Sequence, residues 1–169
     1  MSSKILMVQQ AFKLDISKVF EFFSRPENLE RITPPDLHFK ILTPLPIKME
    51  EGALIEYKIR ISFIPVRWKT LISKFEAPRL FVDEQISGPY AKWHHTHSFI
   101  FKDGYTIVED KVEYTLPISG FIGDLVNKFY IERMLKKIFE YRFYTISKIF
   151  KKDFPYLDLD DSKPNITIA

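Results

Sequence analysis

The residues in this sequence whose types and spacing could do chemistry are His94, His95 and His97, in the stretch Trp93-His94-His95-Thr96-His97-Ser98-Phe99, and Asp110 downstream. An imidazole oriented by a carboxylate moves protons near neutral pH, and neutral imidazoles with a carboxylate ligate metals. Which of the four can meet is set by the chain around them. Asp103-Gly104 is a two-residue hairpin signal between alternating runs, and such a turn pairs Lys102 with Tyr105. Phe99 then lies opposite Val108, His97 opposite Asp110, His95 opposite Val112 and Trp93 opposite Tyr114. This Trp/Phe/Val face turns inward, taking His95, His97 and Asp110 with it, while His94 shares the polar face with Thr96, Ser98, Glu109, Lys111 and Glu113. Burying such groups unpaired costs roughly 1–3 kcal/mol each, so the His97–Asp110 pair needs a mutual hydrogen bond or a wet cavity.

Three roles are open to that pair: a structural polar contact, a ligand-orienting contact, or general acid/base catalysis. In the catalytic case His97 is the base, Asp110 orients it, and Tyr57 or Tyr114 polarises a carbonyl. A metal site is not expected, because His95 and His97 have only Asp110 as an obvious third ligand and no outer set of supporting residues is evident.

The elements that must position these groups read as one domain over residues 1–152 and an acidic tail over 153–169. Ile5 to Phe12 alternates as a strand, and Asp15 caps a short helix through Phe23 that Arg25-Pro26 breaks. A second helical turn or two follows to Ile32 before Thr33-Pro34-Pro35, then a strand from His38 to Leu42. Ala53 to Phe63 alternates, and a turn at Ile64-Pro65 pairs Phe63 with Val66, Ile61 with Trp68, Ile59 with Thr70 and Tyr57 with Ile72. Ile72 and Phe75 differ in parity, which places a bulge at Ser73 to Phe75. Leu80 to Ile86 is the strand before the histidine hairpin, giving six or seven antiparallel strands in all. Asp83 and Gln85 share a face with Phe81 there, in a register the sequence does not fix.

After the breakers Pro117 to Gly123, no Pro or Gly occurs to Lys152, and the pattern predicts a helix of about 28 residues. Leu125, Phe129, Leu135, Ile138, Phe139, Phe143, Ile146, Ile149 and Phe150 form its apolar side. Between Asp124 and Lys152 eight basic residues stand against three acidic ones, mainly on the opposite side, as a solvated face or a contact for anionic lipid or an acidic partner. Asp158, Asp160, Asp161 and Lys163-Pro164 follow without period, in a tail that trails or folds back loosely.

Composition narrows the function classes. Aromatics make up 15% of the chain, sixteen of them Phe, which is enough to line an interior pocket as well as fill a core. A net charge of +3 with no aromatic RNA-binding signature or zinc spacing argues against nucleic acid. The absence of cysteine excludes disulfides and thiolate chemistry and suits a reducing cytoplasm. Ile5-Leu6-Met7-Val8 is too short for a signal peptide's apolar core, and no run approaches the ~18 apolar residues of a membrane span, so a cytoplasmic location is expected.

Taken together, Ile32-Thr33-Pro34-Pro35, Arg67-Trp68-Lys69-Thr70, Phe81-Val82-Asp83-Glu84-Gln85, Gly88-Pro89-Tyr90, Trp93 to Phe99 and Tyr114-Thr115-Leu116-Pro117 resemble the bacterial and archaeal ligand-binding branch of the START-like (SRPBCC) superfamily, the branch described as polyketide cyclase/dehydrase-like. The resemblance spans Ile5 to about Phe150. It implies an α+β helix-grip fold, a curved antiparallel sheet wrapped around the long C-terminal helix, with a hydrophobic small-molecule pocket between them and Thr33-Pro34-Pro35 near its mouth. Met49-Glu50-Glu51-Gly52 lacks the glycine-rich loop of the plant pollen-allergen relatives, so no phosphate-cradling role carries over. The ligand-binding residues expected are Tyr57, Trp68, Trp93, His95, His97, Phe99, Asp110 and Tyr114 on the sheet, with Phe129, Phe139 and Phe143 on the helix. A binding protein without metal or nucleotide cofactor is favoured over an enzyme. The alternatives are a cyclase or dehydratase using His97 and Asp110, and a lipid carrier that docks on membranes through the basic helix face.

Overall fold

The hairpin that carries the histidines forms in the expected register. In a computed structural model describing residues 3–61, 63–156 and 164–169, β6 (Lys92–Lys102) and β7 (Tyr105–Thr115) pair Lys102 with Tyr105, His97 with Asp110 and Trp93 with Tyr114. Asp103 and Gly104 both take positive φ, at 52° and 81°, the turn whose twist matches the flanking strands.

Around this hairpin, among the described residues, eight strands form one antiparallel sheet. The other strands are β1 (Lys4–Phe12), β2 (Lys40–Ile41), β3 (Leu54–Ile61), β4 (Ile64–Glu76), β5 (Leu80–Ser87) and β8 (Ile166–Ile168), in the order β2-β3-β4-β5-β6-β7-β1-β8. Helix α1 (Ile16–Phe23) starts where the Asp15 carboxylate accepts from the Ser17 amide at 2.8 Å, and buries Val19 and Phe20. A single turn, α2 (Asn28–Arg31), follows it.

The β3–β4 hairpin differs from its expected register by four residues. Tyr57 pairs with Trp68 and Ile61 with Ile64, so the chain turns before Ile64 rather than at Ile64-Pro65. Pro65 is admitted because β5 first pairs with β4 at Lys69, leaving the other edge of β4 open beside the proline. A shift of four keeps parity, so Tyr57, Ile59 and Trp68 still face inward. The bulge expected near Ser73 is present as a register shift between Ile72 and Lys74.

The C-terminal helix runs as α3 (Gly120–Val126), a π-type turn (Asn127–Ile131) and α4 (Glu132–Asp153). Buried Asn127 anchors the turn to the sheet, accepting from the Tyr114 hydroxyl at 3.0 Å and donating to Glu132 at 2.8 Å. A π turn holds one residue more than the α-helical turn, rotating what precedes it by roughly 100°. Leu125 and Phe129, expected on the apolar side, are accordingly 38% and 55% exposed. Downstream, Leu135, Phe139, Ile146 and Phe150 pack on the sheet, and Gln10 of β1 reaches across to the Phe143 carbonyl at 3.0 Å.

The acidic residues Asp158, Asp160 and Asp161, with Lys163, lie outside the described residues. Beyond them β8 pairs antiparallel with β1, Val8 with Ile166 and Leu6 with Ile168, so the end of the predicted tail adds a strand to the sheet instead of trailing. Among the described residues, no helix is long and apolar enough to cross a membrane.

Two hydrophobic clusters fill the space between sheet and helix. One gathers Phe12, Phe20, Phe81, Phe99 and Phe150; the other gathers Trp68, Tyr90, Val112, Tyr114, Leu135 and Phe139. Edge-to-face contacts dominate the first, with Phe20 meeting Phe75, Phe81 and Phe99 at 5.1–5.9 Å.

Candidate functional site

Three adjacent strands bring four ionisable side chains together between those clusters. His95 and His97 point inward from β6, Asp110 lies opposite His97 on β7, and Asp83 lies opposite His95 on β5. The imidazole rings are 3.8 Å apart between centroids. His95 Nε2 donates to Asp110 Oδ1 at 3.0 Å, and His97 Nε2 donates to Asp83 Oδ2, also at 3.0 Å. The second nitrogen of each ring faces the other carboxylate: His95 Nδ1 is 3.4 Å from Asp83 Oδ2 and His97 Nδ1 is 2.7 Å from Asp110 Oδ1. That last contact lies off the direction a ring N–H takes, so it is a charge contact and not a hydrogen bond. Phe81 stacks on His97 at 4.1 Å and Phe139 meets His95 edge-on at 5.9 Å, one ring from each cluster.

Burial alone would push both carboxyls up and the imidazole down. Opposite charge at hydrogen-bond distance wins. The His95 charge beside Asp83 and the His97 contact beside Asp110 hold both carboxyls well below the usual carboxylate range. His95, whose burial opposes charging, is pushed up to about 9 by Asp83 and Asp110. The cluster is therefore a buried ionic network in which His95 carries a proton at neutral pH between two carboxylates.

It also has the makings of a cation site. Asp83, His95 and His97 each offer one ligand atom within 4.8 Å of the others, with Asp110 behind both histidines. Zinc bound at about 2.0–2.1 Å needs ligand atoms a little over 3 Å apart, and Asp83 Oδ2 lies 3.4 and 3.0 Å from the two nitrogens. Hydrogen bonds to a protonated imidazole produce the same spacing.

Asp83, His95 and His97 form part of the wall of a cavity of about 160 Å³ between the sheet and α4. The rest of the wall is mostly apolar, including Ile55, Tyr57, Trp68, Ile72, Trp93 and Phe139. Tyr57 stacks on Trp68 at 5.8 Å and 18°, and its burial, with Asp83 nearby, pushes the phenol up so that it stays neutral. Thr33 joins the wall and also borders an outer groove shared with Pro34 and Pro35.

Of the residues expected to bind ligand, Tyr57, Trp68, Trp93, His95, His97 and Phe139 line this cavity. Asp110 and Phe143 stand one layer behind, around a much smaller void. Phe99 is elsewhere, packed among Phe20, Phe23 and Phe81. Tyr114 is fully buried, with its hydroxyl committed to Asn127, and Phe129 is on the surface. Two charged residues that belong to the cavity were not among those expected. Asp83 was signalled by its shared parity with Phe81. Arg142, counted with the solvated basic face, lies three residues after Phe139 and four before Ile146, inside the helical spacing of the apolar side.

No protein-family model matches the sequence, and a search of curated proteins finds no match. Solved structures do match. The ZhuI aromatase/cyclase of Streptomyces sp. R1128 superposes with a TM-score of 0.69 at 11% identity, over 92% of this chain and 99% of that one. A START superfamily protein of Mycobacterium smegmatis gives 0.56 at 13% identity, over 85% and 99%. Major latex-like protein 151 of Panax ginseng gives 0.54 at 14% identity, over 78% and 93%. At such identities the likeness shows the fold alone: an antiparallel sheet closed by a long C-terminal helix, the START-type helix-grip fold.

Proposed function

We propose that the protein binds a small hydrophobic or aromatic molecule in the cavity between the sheet and α4, without a metal or nucleotide cofactor. The observation that carries this reading is a mostly apolar chamber of about 160 Å³ with a few polar groups in its wall, among them Asp83, His95 and His97 from the sheet and Arg142 from α4. A cavity near ~150 Å³ accommodates benzene, so the expected occupant is about one ring or a short branched chain. Apolar burial would contribute about 25 cal/mol per Å² before association costs, with the polar groups setting orientation. Simple binding is favoured over cyclase-like catalysis because both Nε2 atoms are hydrogen-bonded to carboxylates and both Nδ1 atoms, the nitrogens left to act as bases, lie within 3.4 Å of a carboxylate.

Native mass spectrometry of the purified protein, followed by solvent extraction, tests the reading. A stoichiometric apolar molecule that is lost in the cavity-filling variant Ile59→Trp is expected. An empty protein whose melting temperature is unmoved by a library of single-ring and short-chain compounds would refute it.

A second reading, a lipid carrier docking on anionic membranes, is favoured by one observation. Phe121, Ile122 and Phe129 are 79%, 67% and 55% exposed, beside Lys128 and Arg133. Vesicle binding that rises with anionic lipid, weakens with salt and is lost in Phe121→Ser/Ile122→Ser supports it; indifference to vesicle charge rejects it.

A further inference from the structure

Resting on the cavity-binding reading, we infer that the molecule the cavity takes is an organic acid, a carboxylate on a compact apolar body, held through Arg142. Arg142 projects from α4 into the cavity wall, its guanidinium 5.0 Å from the Phe139 ring. That cation–π contact satisfies the face of the guanidinium and none of its N–H groups. Its Nε is buried with no hydrogen-bond partner, and among the described residues no carboxylate lies within ion-pair distance. The Arg142 side chain is half-buried and Nε is its shielded nitrogen, a donor of the kind that in native structures has an acceptor.

The cavity's own carboxylates do not fill this role. Asp83 is committed to His97 and His95, and Asp110 to both histidines from behind. Trp68, 6% exposed and part of the same wall, has an indole N–H with no acceptor either. Tyr57 ties the two together, since its ring stacks on Trp68 and its hydroxyl lies in the field of Arg142. The wall thus holds unpaired donors at Arg142 Nε and Trp68 Nε1 and a positive charge with no carboxylate partner among the described residues, while Asp83 Oδ2 is taken up by the two histidines. The complementary occupant supplies acceptor oxygens and a negative charge at one end and apolar surface everywhere else. A carboxylate meets the guanidinium fork in its own plane, and the cavity volume limits the body to about one ring or a short chain.

Matched pairs separate this inference from the reading beneath it. Isothermal titration of the full chain with benzoate and benzamide, 3-phenylpropanoate and 3-phenylpropanamide, and hexanoate and hexanamide compares charge at constant shape. The acids are expected to bind roughly tenfold or more tighter than the amides, the discrimination of one charge-assisted contact. Arg142→Met and Arg142→Gln should abolish that preference, bringing acid and amide of each pair to equal affinity with an unchanged circular dichroism spectrum, Arg142→Lys should keep part of it, and exposed Lys148→Met should keep all of it. If amides bind as tightly as acids, or the preference survives in both Arg142→Met and Arg142→Gln, the inference falls and the cavity reading stands. If no member of any pair binds, both fall together.

Discussion

Asp83 and His95 are cross-strand partners on β5 and β6, yet the Asp83 carboxylate reaches past His95 to accept from His97 Nε2 at 3.0 Å, and comes no nearer than 3.4 Å to its own partner. Asp110 does the converse from β7, accepting from His95 while lying opposite His97. The hydrogen bonds therefore run diagonally across three strands and lock their mutual register.

Breaking one partner of this network leaves a charge stranded in the core. Asp110→Asn, which touches both histidines, should cost about 3–5 kcal/mol in urea unfolding. Asp83→Asn should cost less, because that side chain is 19% exposed toward the cavity. His94→Ala, on the outer face beside Glu84, should stay within about 0.5 kcal/mol. Equal losses at all three positions would show that the network is not the source of the stability.

The pH dependence follows from the directions of the shifts. The His95 value of about 9 lies above its ordinary 6.5, so its contribution is complete below 6.5 and is lost as pH rises through 9. Both aspartates are held below their ordinary 3.8, so their contribution is present above 3.8 and is lost as pH falls below it. Unfolding midpoints should peak between these limits and decline from pH 6.5 to 9, and His95→Gln should flatten that decline. A wild-type profile level across the alkaline range would contradict the account.

Metal content discriminates the proton-closed network from a cation site. Elemental analysis of protein purified without chelator should return far less than one equivalent of zinc, iron or manganese, and a chelator should leave the melting temperature unchanged. One equivalent that disappears in His97→Gln would instead identify Asp83, His95 and His97 as ligands.

Tyr114→Phe tests the anchor of the π turn. Losing the hydroxyl that donates to Asn127 should cost about 1–3 kcal/mol, because a buried amide oxygen is left without its donor. Ligand affinity should not change, since Tyr114 does not line the cavity; a loss of affinity without a loss of stability would place it in the binding site.

What could be read from the sequence divides by how locally each feature is determined. Asp103-Gly104 dictates its turn from two residues, and the inward placement of His95, His97 and Asp110 follows by parity alone. The turn before Ile64 has no such signal: Pro65 marks a breaker in the sequence, but it is tolerated because β5 does not reach that far. Asp83 needed the β5–β6 register, which is set by packing and a bulge in the neighbouring pair. Arg142 needed the identity of its surroundings, because a basic residue at the margin of an apolar stripe reads as solvated until a cavity is seen beside it. Phe129 was misplaced by counting a uniform 3.6-residue pitch through a turn that breaks it.

The π turn behaves like a phase slip in the thread of a screw. Upstream of Asn127 the helix is cut with the same pitch but a different starting angle, so Phe121, Ile122 and Leu125 emerge on the outside of a rod whose lower half keeps its grease hidden. Removing one residue between 127 and 131 would restore the phase and turn that outward strip back toward the sheet. A change of a single residue in chain length, with the exposed apolar residues themselves untouched, is enough to decide whether the protein presents a water-facing or an oily shoulder to whatever it meets.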